Sequence, residues 1–223
     1  MHIALEQKAP RQIQENPIPQ QTAFWSEVKR KQGLSTRAFD ITTDKSELYP
    51  AEGFSQHMID DILLLVQPLD KQHTMAYVPY GPKLEPDEEM QGPFLEELSE
   101  MFRAQLPKSC ALIRYDLSWE SPWAKENQKA SNDPVSLQVP DKRIQEFRMN
   151  YSTHAWNLRK ANSDNLPSHT IFIDLRPPEE TILMRMKPKT RYNIRLSYRK
   201  GVKVIRAGLE QMHIWYDLYR ETT

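Results

Sequence analysis

Residues 187–201 read Lys187-Pro-Lys-Thr-Arg-Tyr-Asn-Ile-Arg-Leu-Ser-Tyr-Arg-Lys-Gly201. This stretch predicts a helix, because Pro188 suits a first helical turn, where its missing N–H costs nothing. Gly201 suits the position just past a helix end, where a left-handed backbone is needed. The next residues, Val202–Ile205, are rich in β-branched side chains and predict a short strand. The fold therefore includes an α/β unit in this part of the chain.

The predicted helix is strongly basic. From Thr181 to Leu209 the chain has nine Lys or Arg residues and no Asp or Glu, although the whole chain balances 30 basic against 30 acidic residues. Four cations recur at intervals of four, which places them along one side of the helix: Lys187, Arg191, Arg195 and Arg199. A local cationic block in a neutral protein indicates an anionic ligand. A solvated basic surface explains the same pattern equally well.

The beginning of this helix is the expected anion site. Backbone N–H groups and the helix dipole favour a negative charge at a helix N-terminus, so a ligand that carries phosphate is the natural candidate. Four residues lie in this first turn: Lys187, Lys189, Thr190 and Arg191.

Composition places the chain in an ordinary class. Its 223 residues suffice for one large domain or two small ones, with 39% hydrophobic and 27% charged residues. No apolar run approaches the ~20 residues of a membrane span, and the N-terminus has no signal-peptide pattern. Cys110 is the only cysteine and the six histidines lack ligand spacing, which argues against a disulfide or a metal site. We expect a cytoplasmic protein.

Hydrophobic periodicity predicts alternating strands and helices in the rest of the chain. Residues 1–21 are expected to be extended or loop, and Thr22 is expected to cap a helix that stops at Gly33. The other predicted strands are Arg37–Thr42, Asp60–Leu69, Thr74–Tyr80, Cys110–Leu117 and 169–175, and the other predicted helices are Pro86–Leu106, Asp141–Tyr151, Pro177–Met186 and one from Leu209 onwards. A hairpin is expected at Asp70–His73, between two of the strands.

Two domains are predicted, at residues 1–165 and 166–223. The second has only two predicted strands and three predicted helices, too little to close an α/β domain. We therefore expect the chain to be a fragment whose second domain is truncated.

Residues 186–204 resemble the signature segment of the Fem family, the peptidoglycan-bridge aminoacyltransferases. That segment carries a lysine–threonine–arginine–x–asparagine–isoleucine element followed by lysine–glycine–valine. Further resemblances to the family follow the same order along the chain: Phe24–Lys29 with Gly33, Tyr77–Pro82, Ile113–Asp116, Thr170–Leu175 and Leu218–Thr222. The chain departs from the pattern at Tyr80, where the family's turn has arginine, and at Asn165–Pro167, where isoleucine–glutamine–proline is usual.

The resemblance implies two GNAT-like domains, each an α/β mixed sheet flanked by helices, the first nearly whole and the second only begun. It also implies a transferase that moves an aminoacyl group from aminoacyl-tRNA to the stem-peptide amine of a peptidoglycan precursor. The acceptor would be UDP-MurNAc-pentapeptide or a lipid-linked muropeptide. A monomer without a metal or organic cofactor and without a membrane span is implied, and peripheral membrane association is left open.

Roles for individual residues follow from this resemblance. Lys29 is expected to contact the precursor's diphosphate, with Arg191 and its neighbours Lys187, Lys189 and Thr190 as a second arm. Arg195 and Arg199 are candidates for contacts with the tRNA backbone.

Two further residues of the first domain are candidates. Asp116 is the candidate catalytic carboxylate, which would orient the incoming amine or accept its proton. A simple Arg114–Asp116 ion pair or a helix cap explains the same residue equally well. Tyr80 is expected to line the acceptor pocket, with packing as the alternative.

Two other functions compete with this interpretation. A coenzyme-A-dependent GNAT-type N-acyltransferase would need a glycine-rich pyrophosphate loop at a helix N-terminus. The chain has six glycines, none of them two residues apart, which argues against that loop. A non-enzymatic RNA-binding module is disfavoured by the neutral overall charge.

Overall fold

The computed structural model describes residues 1–52, 56–120, 141–155, 157–167, 170–171 and 173–222. The chain divides into two compact units, Met1–Ser168 and His169–Thr223. Five strands lie in the described part of the chain: β1 (Ile3–Lys8), β2 (Ser35–Asp44), β3 (His57–Pro68), β4 (Thr74–Pro79) and β5 (Cys110–Asp116). Seven helices lie there too: α1 (Ala23–Lys31), α2 (Lys45–Leu48), α3 (Gln91–Gln105), α4 (Lys142–Met149), α5 (Glu179–Arg185), α6 (Pro188–Arg199) and α7 (Met212–Thr222). None of these helices is both long and apolar enough to cross a bilayer.

All five strands form one open sheet in the first unit, in the order β1-β2-β3-β4-β5. Neighbours pair antiparallel from β1 to β4, and the predicted hairpin joins β3 to β4. The last pair, β4 and β5, is parallel and is connected through α3, as parallel neighbours require a crossover. The mixed sheet confirms the predicted α/β class and is consistent with a GNAT-like fold.

Alternation along the strands gives the sheet two buried faces. On one face α3 packs its apolar side against the sheet, in a cluster whose fully buried members include Phe39, Ile62, Leu64, Val78, Phe94, Leu98 and Phe102. On the other face a smaller cluster contains Ile13, Ala38, Leu63, Leu65, Met75 and Tyr77. Trp25 of α1 and Leu166 cover this second cluster, so α1 and the segment near residue 166 share one face.

The capping residues predicted for α1 and α6 are found at the ends of these helices. Thr22 caps α1, because its Oγ1 accepts a hydrogen bond of 3.2 Å from the amide of Trp25. Gly33 follows α1 with φ +88°, and Gly201 follows α6 with φ +75°, the left-handed conformation that glycine adopts without steric cost. Pro188 lies in the first turn of α6 as predicted.

The structure differs from the sequence prediction at both ends of the chain. Residues 3–8 form β1, a full partner of β2, although the first 21 residues were expected to be extended or loop. The predicted strands at 169–175 and Val202–Ile205 are wrong for the described residues: residues 170–171, 173–175 and 202–205 are irregular and exposed. A strand needs a paired neighbour to satisfy its backbone, and the described part of the second unit contains no strand.

Candidate functional site

Asp116 ends β5 directly beside the end of β4, and its carboxylate is the centre of a polar network. Oδ2 accepts a hydrogen bond of 2.8 Å from the Tyr77 hydroxyl and one of 3.2 Å from the Leu166 amide. Oδ1 accepts one of 3.1 Å from Nε of Arg114. The Arg114 and Asp116 side chains are only 17% and 12% exposed. We call Tyr77, Arg114 and Asp116 the Asp116 network.

Tyr80 extends this network to the segment of residues 163–167. Its hydroxyl donates a hydrogen bond of 2.6 Å to the Pro167 carbonyl, and Arg114 Nη2 donates to the Ser163 carbonyl. The amide of the next residue, Gly81, donates to the Asp116 carbonyl at 3.2 Å. Tyr80 has φ +47°, an uncommon backbone conformation for a residue with a Cβ. The structure therefore brings the predicted site residues Tyr80 and Asp116 into one cluster, which fastens residues 163–167 to the end of β4 and β5.

Both tyrosines of this cluster are held as neutral phenols. Burial, followed by the hydrogen bond to Asp116, raises the pKa of Tyr77 well above its ordinary value. Burial and the charge of Asp116 also raise the pKa of Tyr80. Each tyrosine can therefore donate a proton in a hydrogen bond at neutral pH but is a poor base. Both oxygens of Asp116 are already engaged, and the predicted Arg114–Asp116 ion pair is present.

Gln21 is a structural part of this site that the sequence analysis missed. Backbone pairing of β3 with β4 reaches only to Leu65 and Tyr77, and the buried Gln21 side chain bridges the two strands beyond that point. Its Nε2 donates to the Pro79 carbonyl at 2.7 Å, and its Oε1 accepts from the Leu63 amide at 2.8 Å. Nothing in the sequence distinguishes Gln21 from the neighbouring Gln20, so only the structure shows its role.

Lys29 lies on α1, the helix that covers the same face of the sheet as Tyr77. Its Nζ is 4.8 Å from the centroid of the Trp25 ring and donates to Gln32 Oε1 at 3.0 Å. A cation over an aromatic ring is attracted by the ring's quadrupole, so Trp25 limits the directions that Lys29 can take. The position suits a cation that is oriented in advance for an anionic ligand.

In the second unit Arg191 fastens α6 to the end of α5. Its Nη1 donates to the Met184 carbonyl at 3.1 Å and to the Met186 carbonyl at 2.5 Å. The amides of Thr190 and Arg191 both donate to the Lys187 carbonyl, at 3.0 and 3.2 Å. These two amides of the predicted anion site therefore already have a protein acceptor, while the side chains of Lys187, Lys189 and Thr190 are exposed.

The side of α6 carries a depression of about 520 Å³, which we call the arginine groove. Its lining consists of Pro188, Arg191, Tyr192, Arg195 and Arg199. The Arg199 guanidinium carbon lies 5.9 Å from the centroid of the Tyr192 ring. The structure thus groups three predicted arginines and adds Tyr192, which the sequence analysis did not single out. The sequence could have indicated Tyr192, because Arg195 and Arg199 follow it by three and seven residues and therefore lie on the same side of a helix.

A second depression, of about 970 Å³, lies beside β1 and contains no predicted site residue. Lys8 reaches into its lining and forms ion pairs with Asp40, at 2.7 Å, and with Asp61. This cluster was not predicted from the sequence, because Lys8 belongs to β1, which was not expected to be a paired strand. Among the described residues, no group of three or more His, Cys, Asp or Glu side chains is arranged to hold a metal ion.

Comparison with known proteins adds one positive finding. The model of the FemAB family matches residues 14–223. This range includes α1, the Asp116 network and the arginine groove, and it covers almost the whole chain. Neither the curated proteins nor the solved structures contain a significant match.

Proposed function

The chain belongs to the FemAB family, and we propose that it is a tRNA-dependent aminoacyltransferase that adds an amino acid to the stem-peptide amine of a peptidoglycan precursor. The observation that carries the proposal is the family match over residues 14–223, which includes both the Tyr77–Pro82 turn and the basic helix α6. Peptidoglycan-bridge aminoacyl transfer is the general activity of this family. The tRNA donor and the muropeptide acceptor are the finer part of our proposal.

The proposed reaction needs little from the protein beyond positioning. The acceptor amine attacks the carbonyl carbon of the aminoacyl ester, a C–N bond forms and the ester C–O bond breaks. The tRNA hydroxyl leaves with a proton, and the attacking amine loses one. Since the ester is already activated, holding the two reactants together and removing the amine proton are the main tasks.

Each unit contains a candidate cation for the precursor's diphosphate. In the first unit Lys29 is the candidate, since Trp25 and Gln32 limit its orientation. In the second unit Arg191 is the candidate, supported by the exposed Lys187, Lys189 and Thr190. Arg191 uses Nη1 for two carbonyls of its own unit, and a guanidinium has further N–H groups on its other nitrogens with which to bind phosphate.

We propose that the Asp116 network lines the acceptor end of the first unit, with Tyr80 at its rim. Asp116 is the candidate catalytic residue, and it would orient the amine or take its proton by exchanging one of its present donors. Asp116→Asn keeps the shape of the side chain and removes the charge. A loss of kcat larger than the change in KM would support direct participation.

Calorimetric binding of UDP-MurNAc-pentapeptide tests the diphosphate sites. We expect saturable binding that Lys29→Ala and Arg191→Ala each weaken by about 1–3 kcal/mol, the size of a lost charge-assisted contact. Arg30→Ala and Lys200→Ala are matched controls, because both residues are exposed cations near the same helices. Arg191→Lys keeps the charge and separates an anion contact from the role of Arg191 at the end of α5.

Transfer of a labelled amino acid from aminoacyl-tRNA to the muropeptide tests the reaction itself. Absence of muropeptide binding together with binding of acetyl-coenzyme A would overturn the proposal in favour of the coenzyme-A-dependent N-acyltransferase.

A further inference from the structure

We propose that residues 163–167, which we call the strap, are autoinhibitory: their backbone occupies the hydrogen-bonding positions at Asp116 and Tyr80, and the peptide of the acceptor displaces them when it binds. This inference rests on the proposed function, because it takes the Asp116 network as the acceptor end of the first unit. It goes further by naming what the acceptor replaces and by predicting that a segment of the protein is released on binding.

The strap presents backbone groups to the side chains of the site. The Leu166 amide donates a hydrogen bond of 3.2 Å to Asp116 Oδ2. The Pro167 carbonyl accepts one of 2.6 Å from the Tyr80 hydroxyl. Backbone amides and carbonyls are obligatory hydrogen-bonding groups of a peptide chain, so a stem peptide carries the same kinds of donor and acceptor. The strap therefore offers the site the same chemistry as the acceptor that we propose for it.

Asp116 is closed to an acceptor amine while the strap is in place. Its side chain is only 12% exposed, and both carboxylate oxygens accept hydrogen bonds from the protein. Two of the three donors are held firmly, since Arg114 belongs to the same strand as Asp116 and Tyr77 is buried in the smaller core cluster. The third donor, the Leu166 amide, belongs to a segment outside any helix or strand. The Leu166 amide is therefore the donor that an incoming amine replaces.

Few contacts hold the strap in place. Within residues 163–167 only Leu166 is partly buried, and like Trp25 it packs against the smaller core cluster. One further hydrogen bond joins the Ser163 carbonyl to Arg114 Nη2. Segments with few buried contacts open at a low cost in free energy, and a ligand that favours the open state shifts the protein towards it. Because the acceptor would restore the lost hydrogen bonds, the burial of Leu166 is the main contact that opening gives up.

Calorimetric binding of UDP-MurNAc-pentapeptide to Leu166→Ala tests the strap in the whole protein. The apparent affinity of a ligand is reduced by the fraction of the protein in which its site is open, and this variant weakens the closed state by removing packed methyl groups. We therefore expect Leu166→Ala to bind the muropeptide about 3- to 10-fold more tightly than the unaltered protein. A strap that only supports the site predicts the opposite, weaker binding. Asn165→Ala is the matched control, because Asn165 is an exposed neighbour within the strap, and it should leave the affinity unchanged.

Hydrogen exchange of the unaltered protein is a second measurement, which does not depend on the folding of a variant. Saturation with UDP-MurNAc-pentapeptide should accelerate exchange of the Leu166 amide roughly 10-fold, because this amide loses its carboxylate acceptor and opens to water. Direct protection by a ligand would slow exchange instead, so acceleration confined to the strap identifies displacement. UDP-MurNAc without the pentapeptide is the control. It carries the diphosphate but no peptide, and it should leave the exchange of Leu166 as it is in the free protein.

Unchanged or slower exchange of the Leu166 amide in the muropeptide complex would overturn the inference, and so would equal or weaker binding by a folded Leu166→Ala variant. The transfer assay distinguishes this failure from failure of the proposed function. If the muropeptide binds and receives an amino acid, the function stands and only the role of the strap is wrong. If the unaltered protein neither binds the muropeptide nor transfers an amino acid to it, the proposed function fails and the strap inference fails with it.

Discussion

Asp60 is an acidic residue of β3 that is withdrawn from water on the α3 side of the sheet. Its Oδ2 accepts a hydrogen bond of 3.1 Å from the Leu84 amide. Burial raises the pKa of Asp60 above its ordinary value, and this effect exceeds the opposing effects of the Leu84 amide and Lys83, which lower the pKa. At neutral pH the folded protein therefore carries a carboxylate that would be better solvated in the unfolded chain.

Asp60→Asn is expected to remove the contribution of Asp60 to the pH dependence of stability. Because the folded state binds the Asp60 proton more tightly than the unfolded state, the free energy of unfolding rises as pH falls from the folded pKa towards 3.8. The variant lacks this gain in stability, but its side-chain oxygen can still accept a hydrogen bond from the Leu84 amide. Urea unfolding of both proteins at several pH values between 7 and 3.5 should therefore show the original protein gaining stability relative to the variant on acidification. A difference between the two proteins that does not change with pH would contradict this explanation.

At the level of residues, the sequence offered candidate site residues but did not predict what they contact. Asp116 and Tyr80 were singled out, and both belong to one cluster at the end of β4. Their hydrogen bonds to residues 163–167 could not be predicted, because they join positions about 50 or more residues apart in the chain. Arg191 was expected to face an anion, but one of its nitrogens also binds two backbone carbonyls of the preceding turn.

The pairing of β3 with β4 is completed by a side chain instead of by backbone. Gln21 is 3% exposed. Its side chain supplies both a donor and an acceptor to β3 and β4 at Leu63 and Pro79, beyond the end of their backbone pairing. Gln21→Ala should leave the Leu63 amide and the Pro79 carbonyl buried without these partners, at a cost of about 2–4 kcal/mol in the free energy of unfolding. Denaturant titration measures this loss, with Gln72→Ala as the control because Gln72 is exposed. A loss below about 0.5 kcal/mol, the range of an ordinary surface substitution, would show that the bridge is dispensable.

Elements were predictable where local signals and packing agree. β3 has a continuous apolar run, α3 has helical spacing, and α1 and α6 have their end signals, so all four were predicted, although α3 begins at Gln91 instead of Pro86 and β3 at His57 instead of Asp60. The strand β1 was missed because its six residues carry a mixed pattern whose meaning depends on pairing with β2. The β-branched residues at 202–205 predicted a strand from composition, but such a strand is stable only against a neighbour.

The two units differ in how much of their surface is buried. The first has a core of fully buried side chains on both faces of its sheet. In the second, no helix of the described residues contains a buried position. Stability against local opening follows buried contact, so hydrogen exchange of this chain should be slowest in β2, β3 and β4 and far faster in α5, α6 and α7. Equal protection in the two units would show that α5–α7 are stabilised by contacts that this burial pattern does not include.

The fastening of residues 163–167 by the Asp116 network and Tyr80 has a mechanical consequence. Tension applied along the chain from beyond residue 170 reaches the first unit at these side-chain contacts before it reaches any strand. Behind them lie β4 and β5, which pair in parallel along their length, so a pull on the end of β5 would slide the two strands past each other and strain several hydrogen bonds together. The hydrogen bonds of Asp116, Arg114 and Tyr80 to residues 163–167 are therefore expected to break before the hydrogen bonds between β4 and β5, so that the sheet stays intact.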